Sequence, residues 1–245
     1  MKTINTRRTI RKYQDKEVDH TLLNSLLADA ERTQTMGNLQ LYSVVVTRSD
    51  EQKRKLAPAH FHQPMVTQAP VLLTFCADYR RTTLWAEQRK ATPGYDNFLS
   101  FVNAMSDTLL YCQTFCNLAE ERGLGLCYLG TTLYSPQVII DILHLPRLVM
   151  PIATITLGWP DEKPQPTDRL PLSAIVHCET YADYTPHSID QAYKAKELLP
   201  ENIAFCQLNH KETLAQVFTD LRYTKKDNEA MSSTFLEALK QQGFL

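Results

Sequence analysis

Features that would place a chain in a specialised class are missing from these 245 residues. No apolar run approaches the roughly 20 residues that a membrane-spanning helix needs, and the stretch after Met1 has charge but no apolar core typical of a signal peptide. The formal net charge of −1 gives no general attraction to nucleic acid. Internal repeats and low-complexity tracts are absent as well. These absences predict a cytoplasmic globular protein whose partners are small molecules or another copy of itself.

Cysteine and histidine give no disulfide or metal signature. The six cysteines lack Cys-x-x-Cys spacing and mostly lie in apolar runs, whereas a secreted disulfide framework is denser in a shorter chain. Cys112 and Cys116 lie one helical turn apart and are interpreted as core residues rather than as a redox pair. His60 and His62 have no cysteine or acidic partner at metal-ligand spacing, so a pair of loop histidines is predicted. We therefore expect reduced, mostly buried thiols and no metal.

Periodic apolar residues predict helices and buried strands in alternation. The leucines from Leu22 to Leu27 recur at helical spacing, and Asp19 is placed to cap the start of that helix. A longer apolar pattern from Asn97 to Arg122 predicts a mostly buried helix that ends at Gly123. Its expected buried positions include Phe98 and Leu109.

The remaining elements follow from shorter signals. A charged stretch at 80–95 is predicted to be a surface excursion, and the prolines of 161–171 predict a stiff loop. The other predicted elements are strands near 41–47, 71–76, 126–129 and 152–157, a helix from Ser135-Pro136 to near His144 with Ser135 as its cap, and helical stretches near 188–197, 211–222 and 228–242. This order predicts an α+β fold in which helices cover one sheet, in a single domain over residues 1–245.

Three arginines lie within five residues near the start of the chain. Arg7, Arg8 and Arg11 surround Thr9. An arginine side chain can hold a phosphate with two parallel hydrogen bonds, and the threonine hydroxyl adds a neutral donor. The alternative interpretation of this cluster is a solvated basic amino terminus.

The second candidate is the segment Tyr128-Leu129-Gly130-Thr131, which ends a predicted strand. It offers backbone N–H donors with little side-chain bulk around them, so a flat ring could lie close to the chain. An N–H group near such a ring could stabilise the acceptance of a hydride. The alternative interpretation is a plain strand end.

Together these two segments resemble the nitroreductase family of FMN enzymes, and within it the NADPH-dependent, oxygen-insensitive nitroreductase and flavin reductase branch. The resemblance implies that Arg7, Arg8, Thr9 and Arg11 hold the FMN phosphate and that Tyr128, Leu129, Gly130 and Thr131 pack against the isoalloxazine. Thr131 departs from the family pattern, because a second glycine is common there. The implied fold has a central mixed, mostly antiparallel sheet flanked by helices, with a long buried helix at a dimer interface.

The resemblance adds three further flavin contacts. Thr35 matches a hydroxyl donor in the turn after the first helix, although an ordinary polar turn remains an alternative, and Gln63 matches a glutamine at the pyrimidine edge. Arg169 matches an arginine that reaches the FMN phosphate. Thr167 and Asp168 replace a lysine and a proline beside it, so one phosphate contact is expected to be lost and Asp168 to add unfavourable charge.

The implied activity is an FMN-dependent NAD(P)H oxidoreductase that reduces nitroaromatics, quinones or flavins by a ping-pong hydride transfer, with no catalytic side chain. Members of the family are homodimers with FMN at the interface, and residues 182–245 would form a helical extension that packs on the partner. NADH and NADPH both remain open as donors, because residues 194–209 contain no arginine. Two alternatives remain: an FMN-binding sensor or store without turnover, and a flavin-dependent dehalogenase or enoate reductase with residues 80–97 as a lid.

Overall fold

A computed structural model describes residues 4–245 as a four-stranded sheet flanked by helices. The strands are β1 (Tyr42–Thr47), β2 (Val71–Asp78), β3 (Gly125–Leu129) and β4 (Val149–Gly158). The helices are α1 (His20–Ala30), α2 (Asp50–Leu56), α3 (Pro64–Gln68), α4 (Arg80–Gln88), α5 (Phe98–Glu121), α6 (Pro136–Leu143), α7 (Pro186–Glu197), α8 (Pro200–Leu208), α9 (Leu214–Gln216) and α10 (Lys225–Gln241). Among these residues no helix is both long enough and apolar enough to span a membrane.

The sheet has the strand order β1-β2-β4-β3, and each neighbouring pair is antiparallel. The central strands β2 and β4 are buried along their whole length, which explains why most of their residues are apolar. β3 lies at one edge of the sheet although it is third in the chain. This edge position leaves one side of β3 free to receive another segment.

Helices cover both faces of the sheet. Because successive side chains in a strand point to opposite faces, Leu73 and Phe75 pack in one cluster with α1 and α5, while Leu72 packs in another with α2, α3 and α6. In β3, Leu126 belongs to the first cluster, and Cys127 and Leu129 belong to the second. A third cluster contains Phe101 of α5 and the buried carboxy-terminal Phe244.

The chain forms two compact units. One runs to Pro166 and takes up Met231–Leu245, and it contains the sheet. The other, Thr167–Ala230, is built from helices around buried Ala192, Leu214 and Val217. Capping boxes begin two of its helices, at Thr185 and at Thr213.

Most of the predicted elements are confirmed. The Asp19 carboxylate accepts from the Leu22 N–H at 3.1 Å, and Gly123 ends α5 with a φ of +81°. The predicted strands are present, and β4 extends further at its start than the 152–157 expected. The helix after Ser135 begins at Pro136 as predicted, but the Ser135 side chain makes no capping bond.

The structure differs in detail from the expectations in three helical regions. The stretch expected to be a surface excursion is largely exposed, and it contains a helix, α4, which packs through Thr82 and Ala86. In the second unit α8 is an additional helix, and the stretch expected to be helical near 211–222 is helical from residue 214, as a short α-helix continued by a π-helical turn. In α5 only one face is buried, so Phe98 and Leu109 are exposed rather than buried.

Candidate functional site

The arginine segment lies along the free edge of β3. Ile10 donates its backbone N–H to the Leu126 carbonyl at 2.9 Å, and Gln14 donates to the Trp159 carbonyl at the same distance. Ile10 is buried, and a Cβ built on Gly125 would lie 2.7 Å from its Cγ1. The absence of a side chain at position 125 therefore allows the amino-terminal segment to approach β3.

The carboxylate of Glu162 holds the backbone of this segment at Arg11 and Lys12. Glu162 Oε1 accepts from the N–H of Arg11 at 2.5 Å and from the N–H of Lys12 at 3.0 Å. Asp161 in turn donates its N–H to the Lys12 carbonyl. The proline-rich loop after β4 therefore holds the backbone that carries Arg11.

The arginines differ in their surroundings. Burial raises the pKa of the Cys127 thiol, and the guanidinium groups of Arg11 and Arg7 oppose that rise, so both lie close to β3. Arg7 also pairs with Glu120 of α5 at 4.0 Å. Arg8 instead donates to the carbonyl of Thr6. Arg7 and Arg11 thus lie near one strand, β3, while the hydrogen bond that Arg8 makes to Thr6 is local.

The end of β3 is open to solvent. Tyr128 is 45% exposed, Leu129 is buried, and a Cβ built on Gly130 would meet no atom within 4 Å. Thr131 lies in the 3₁₀ turn Gly130–Leu133 that follows and is partly exposed. A planar group can reach the backbone here without meeting a side chain at position 130.

A buried histidine links a second turn to this strand end. His60 Nδ1 lies 2.9 Å from the Thr131 hydroxyl oxygen, and burial lowers the pKa of His60 to about 4. Gln63 donates its N–H to the His60 carbonyl at 3.1 Å and is partly exposed. Gln63 therefore lies one turn of chain from a residue that touches Thr131, which is consistent with its predicted role.

The Thr35 turn is held by a buried carboxylate on α5. Asp107 Oδ1 accepts from the Met36 N–H at 2.8 Å, and Oδ2 accepts from the Leu41 N–H at 3.2 Å. Thr35 itself is partly exposed and makes no capping bond. The carboxylate therefore fixes both ends of the turn and leaves the Thr35 hydroxyl outside this network.

The two groups of predicted residues lie on opposite edges of α5. Partial desolvation of the Tyr128 phenol raises its pKa to about 12, and the nearby Cys112 and Cys116 thiols add to that rise. Asp107 precedes Cys116 by nine residues, which corresponds to about half a turn around the helix axis at roughly 100° per residue. Within one chain the structure therefore does not bring Thr35 together with Tyr128.

Arg169 lies in the second unit, in an exposed loop. Its Nη1 donates to the Thr167 hydroxyl at 2.7 Å and to the Asp168 carbonyl at 2.8 Å. The Asp168 carboxylate is paired with Lys196 at 2.9 Å, so its negative charge is partly compensated. The expected electrostatic penalty of Asp168 is correspondingly smaller than the sequence alone indicates.

These residues fit an FMN group by their chemistry. Arg7 and Arg11 supply positive charge for a phosphate beside β3, and Gly130 leaves the end of the same strand clear for a ring.

Three residues with structural roles at the site were not identified from the sequence: His60, Asp107 and Glu162. Only Asp107 gives a usable signal, because it is a charged residue within the buried stripe of α5.

Comparison with known proteins identifies the family. The model of the Nitroreductase family matches residues 4–159, which is more than half of the chain. The chain belongs to the nitroreductase family. This assignment confirms the family predicted from the two segments and, with the sheet described above, the predicted α+β nitroreductase fold.

Individual nitroreductase relatives cover most of the chain. The FMN reductase (NAD(P)H) of Bacillus subtilis (strain 168) is 31% identical over 186 residues, 74% of each protein. The oxygen-insensitive NADPH nitroreductase of Salmonella typhimurium (strain LT2) is 29% identical over 174 residues, 71% of each protein. The crystal structure of a protein from Bacteroides fragilis NCTC 9343 is 60% identical, covers 100% of both chains and has a TM-score of 0.99.

Proposed function

We propose that the protein takes hydride from NADPH or NADH and passes it to nitroaromatics, quinones or flavins through a bound FMN, in a ping-pong cycle. The enzyme class within this proposal, an FMN-dependent NAD(P)H oxidoreductase, is confirmed by the family and by the names of the relatives. The observation that carries the residue assignment is the convergence of the arginine segment and the open Gly130 turn on one strand, β3.

The chain's own residues bind and orient the cofactor. We infer that Arg7, Arg8, Thr9 and Arg11 hold the phosphate, with Arg169 as a further contact, and that the ring lies at Tyr128, Leu129, Gly130 and Thr131, with Gln63 at its polar edge. When bound, FMN supplies the hydride chemistry. The protein residues therefore act by position and charge, and no side chain is proposed to act as a nucleophile or as an acid.

A second copy of the chain would complete this site. The face of α5 between the Thr35 turn and Tyr128 carries exposed apolar side chains, of which Leu99 is 69% exposed and Leu110 46%. An apolar helix face exposed in this way favours burial against another surface. A two-fold pairing through α5 would place the Thr35 turn of one copy near the Tyr128 end of its partner. We therefore propose a homodimer with FMN at the interface.

The second unit is proposed to contact the partner as well. It exposes several large apolar side chains, among them Tyr181, Ile189 and Leu208, and burial of such side chains favours association. The helical segment 182–245 is accordingly proposed to pack on the other copy.

A cytoplasmic location is also proposed. It is supported by the cysteines, of which all six are free and four are buried.

The first experiment is a visible spectrum of the purified protein, recorded before and after anaerobic addition of NADPH and then NADH. A flavin absorbance near roughly 450 nm that bleaches with either donor is expected, and the faster donor is the preferred one. A yellow protein that neither donor bleaches would favour a binding-only protein. A colourless protein that does not take up added FMN would contradict the proposal.

A further inference from the structure

A buried histidine with an unpaired nitrogen lies directly behind the open end of β3. His60 is fully buried, and its Nδ1 contacts the Thr131 hydroxyl oxygen. Its other ring nitrogen, Nε2, is also buried and has no hydrogen-bond partner among residues 4–245. Leaving a buried polar atom unpaired costs stability, so packing alone does not account for a histidine at this position.

The ring of His60 is neutral at neutral pH, because its burial disfavours the charged form. In a neutral imidazole one nitrogen carries the proton and the other is an acceptor. Two arrangements fit the 2.9 Å contact. Either His60 Nδ1–H donates to Thr131 Oγ1, or the Thr131 hydroxyl donates to Nδ1 and the ring proton lies on Nε2.

The two arrangements differ in what they leave available at Thr131. Within the part of the chain that the structure describes, the only recorded partner of the Thr131 hydroxyl is His60. If the ring donates, the hydroxyl proton of Thr131 is free to bond elsewhere. In the other arrangement this proton is already donated to His60 Nδ1. The second arrangement also buries an N–H donor without an acceptor, and for backbone groups this is the rarer of the two defects.

We propose that His60 is a positioning residue: it donates from Nδ1 to Thr131 Oγ1, which directs the Thr131 hydroxyl proton toward an acceptor atom of bound FMN. The proposal rests on the proposed function, because FMN is the ligand at this turn. Its geometry is independent of that function, since Thr131 is partly exposed beside Gly130 and His60 lies behind it in the interior. The threonine then contributes a hydrogen bond rather than only bulk at this position.

The tautomer of His60 is the first test. Nitrogen-15 NMR of histidine-labelled holoprotein distinguishes the protonated from the bare ring nitrogen, and the signals that vanish in His60→Asn assign the ring. A proton on Nδ1 is the expected result. A proton on Nε2 would overturn the inference and leave the assignment of an FMN enzyme intact.

The second test measures FMN affinity in matched variants. Thr131→Val removes the hydroxyl with little change in shape, and we expect the FMN Kd to rise roughly three- to tenfold, the value of one hydrogen bond. Thr131→Ser is expected to recover most of this loss. Thr67→Val is the control, since Thr67 is an exposed residue of α3 whose hydroxyl donates to the Pro64 carbonyl, and its Kd should equal that of the wild type.

Coupling between the two residues separates a positioning role from a packing role. His60→Leu should weaken FMN binding about threefold in the wild-type background and not at all in the Thr131→Val background. His60→Asn, which keeps an N–H near Nδ1, should bind FMN more tightly than His60→Leu. The flavin midpoint potential should shift in Thr131→Val and return in Thr131→Ser.

The outcomes separate this inference from the proposed function. Equal and additive losses in both backgrounds, or an unchanged Kd and potential in Thr131→Val, would overturn the inference while the wild type still binds and reduces FMN. If His60→Leu does not fold, the tautomer and the Thr131 series still decide the question. A wild-type protein that takes up no FMN would contradict the proposed function itself.

Discussion

Replacing Gly125 with alanine should displace the arginine segment from β3. A Cβ at this position would lie 2.7–2.8 Å from Cγ1, Cβ and Cγ2 of Ile10, closer than such atoms approach one another, and Ile10 is buried and hydrogen-bonded to Leu126. The chain cannot relieve the contact by rotating a flexible side-chain tip, because Ile10 Cβ is itself one of the atoms in contact. Either Ile10 or β3 must move.

The size of the effect follows from overpacking of a buried contact. An extra methyl group in a well-packed region costs about 1–3 kcal/mol, and for a chain of this size each 1 kcal/mol lowers Tm by roughly 2–4 °C. We therefore expect Gly125→Ala to lower Tm by several degrees. FMN affinity should fall as well, because Arg7 and Arg11 flank the displaced residue.

The matched control is Gly130→Ala, five residues further along. A Cβ there meets no atom within 4 Å, and at neither glycine is φ positive, so the backbone accepts alanine at both positions. Differential scanning calorimetry of the FMN-free proteins should show a loss of Tm for Gly125→Ala and little change for Gly130→Ala, while FMN titration should show weakened binding in both. An unchanged Tm and FMN Kd in Gly125→Ala would refute the argument that the arginine segment depends on this close approach.

Three further predictions concern single side chains. Arg11→Ala should raise the FMN Kd by about ten- to a hundredfold, the value of a hydrogen bond to a charged group, and Arg11→Lys should recover part of it; full flavin occupancy in Arg11→Ala, measured by absorbance, would remove Arg11 from the site. Asp107→Asn should lower the free energy of unfolding by about 2 kcal/mol, because an amide group replaces an acceptor that faces a backbone N–H at Met36 or Leu41, and urea unfolding beside an exposed-site control, Asp141→Asn, tests this. Stability should fall as pH decreases from about 6.5 to about 4, by up to about 3 kcal/mol from His60, because the folded state holds the ring neutral while the unfolded state binds the proton; urea unfolding of His60→Leu across this range should lack that component.

Elements with a local signal could be predicted from the sequence. The start of α5 is marked by Asn97, whose side chain accepts from the Ser100 N–H at 3.0 Å, and its end by Gly123 in the left-handed region. The buried strands β2 and β4 consist mostly of apolar and β-branched residues. In each case the residues that determine the element lie within it or next to it, so periodicity and capping rules apply directly.

Helices without an apolar stripe could not be predicted in this way. α8 buries no residue, and α4 buries only Thr82 and Ala86, neither of which gives a hydrophobic period. For α8 the remaining local signal is Pro200 in its first turn, a favourable position for proline. A search for periodicity interprets such stretches as loops.

The site combines predictable side-chain types with contacts that only the fold determines. The arginines, the Thr35 turn and the Gly130 turn are recognisable as segments. The contacts that hold them join residues far apart in sequence: Glu162 with Arg11, Asp107 with Met36, and His60 with Thr131. No local pattern records such pairs.

The strand order explains why these distant residues can meet. β3 follows β2 in the chain, yet β4 lies between them in the sheet, so β3 keeps one free edge. Ile10 bonds to Leu126 at that free edge, and Gln14 bonds to Trp159 just after β4. These attachments bring the arginines beside the strand that Gly130 follows. Had β3 paired with β2 and β4 on its two sides, the segment would have found no free N–H and C=O groups there. The phosphate and ring portions of the proposed site therefore share β3, because this strand, third in the chain, lies at the edge of the sheet.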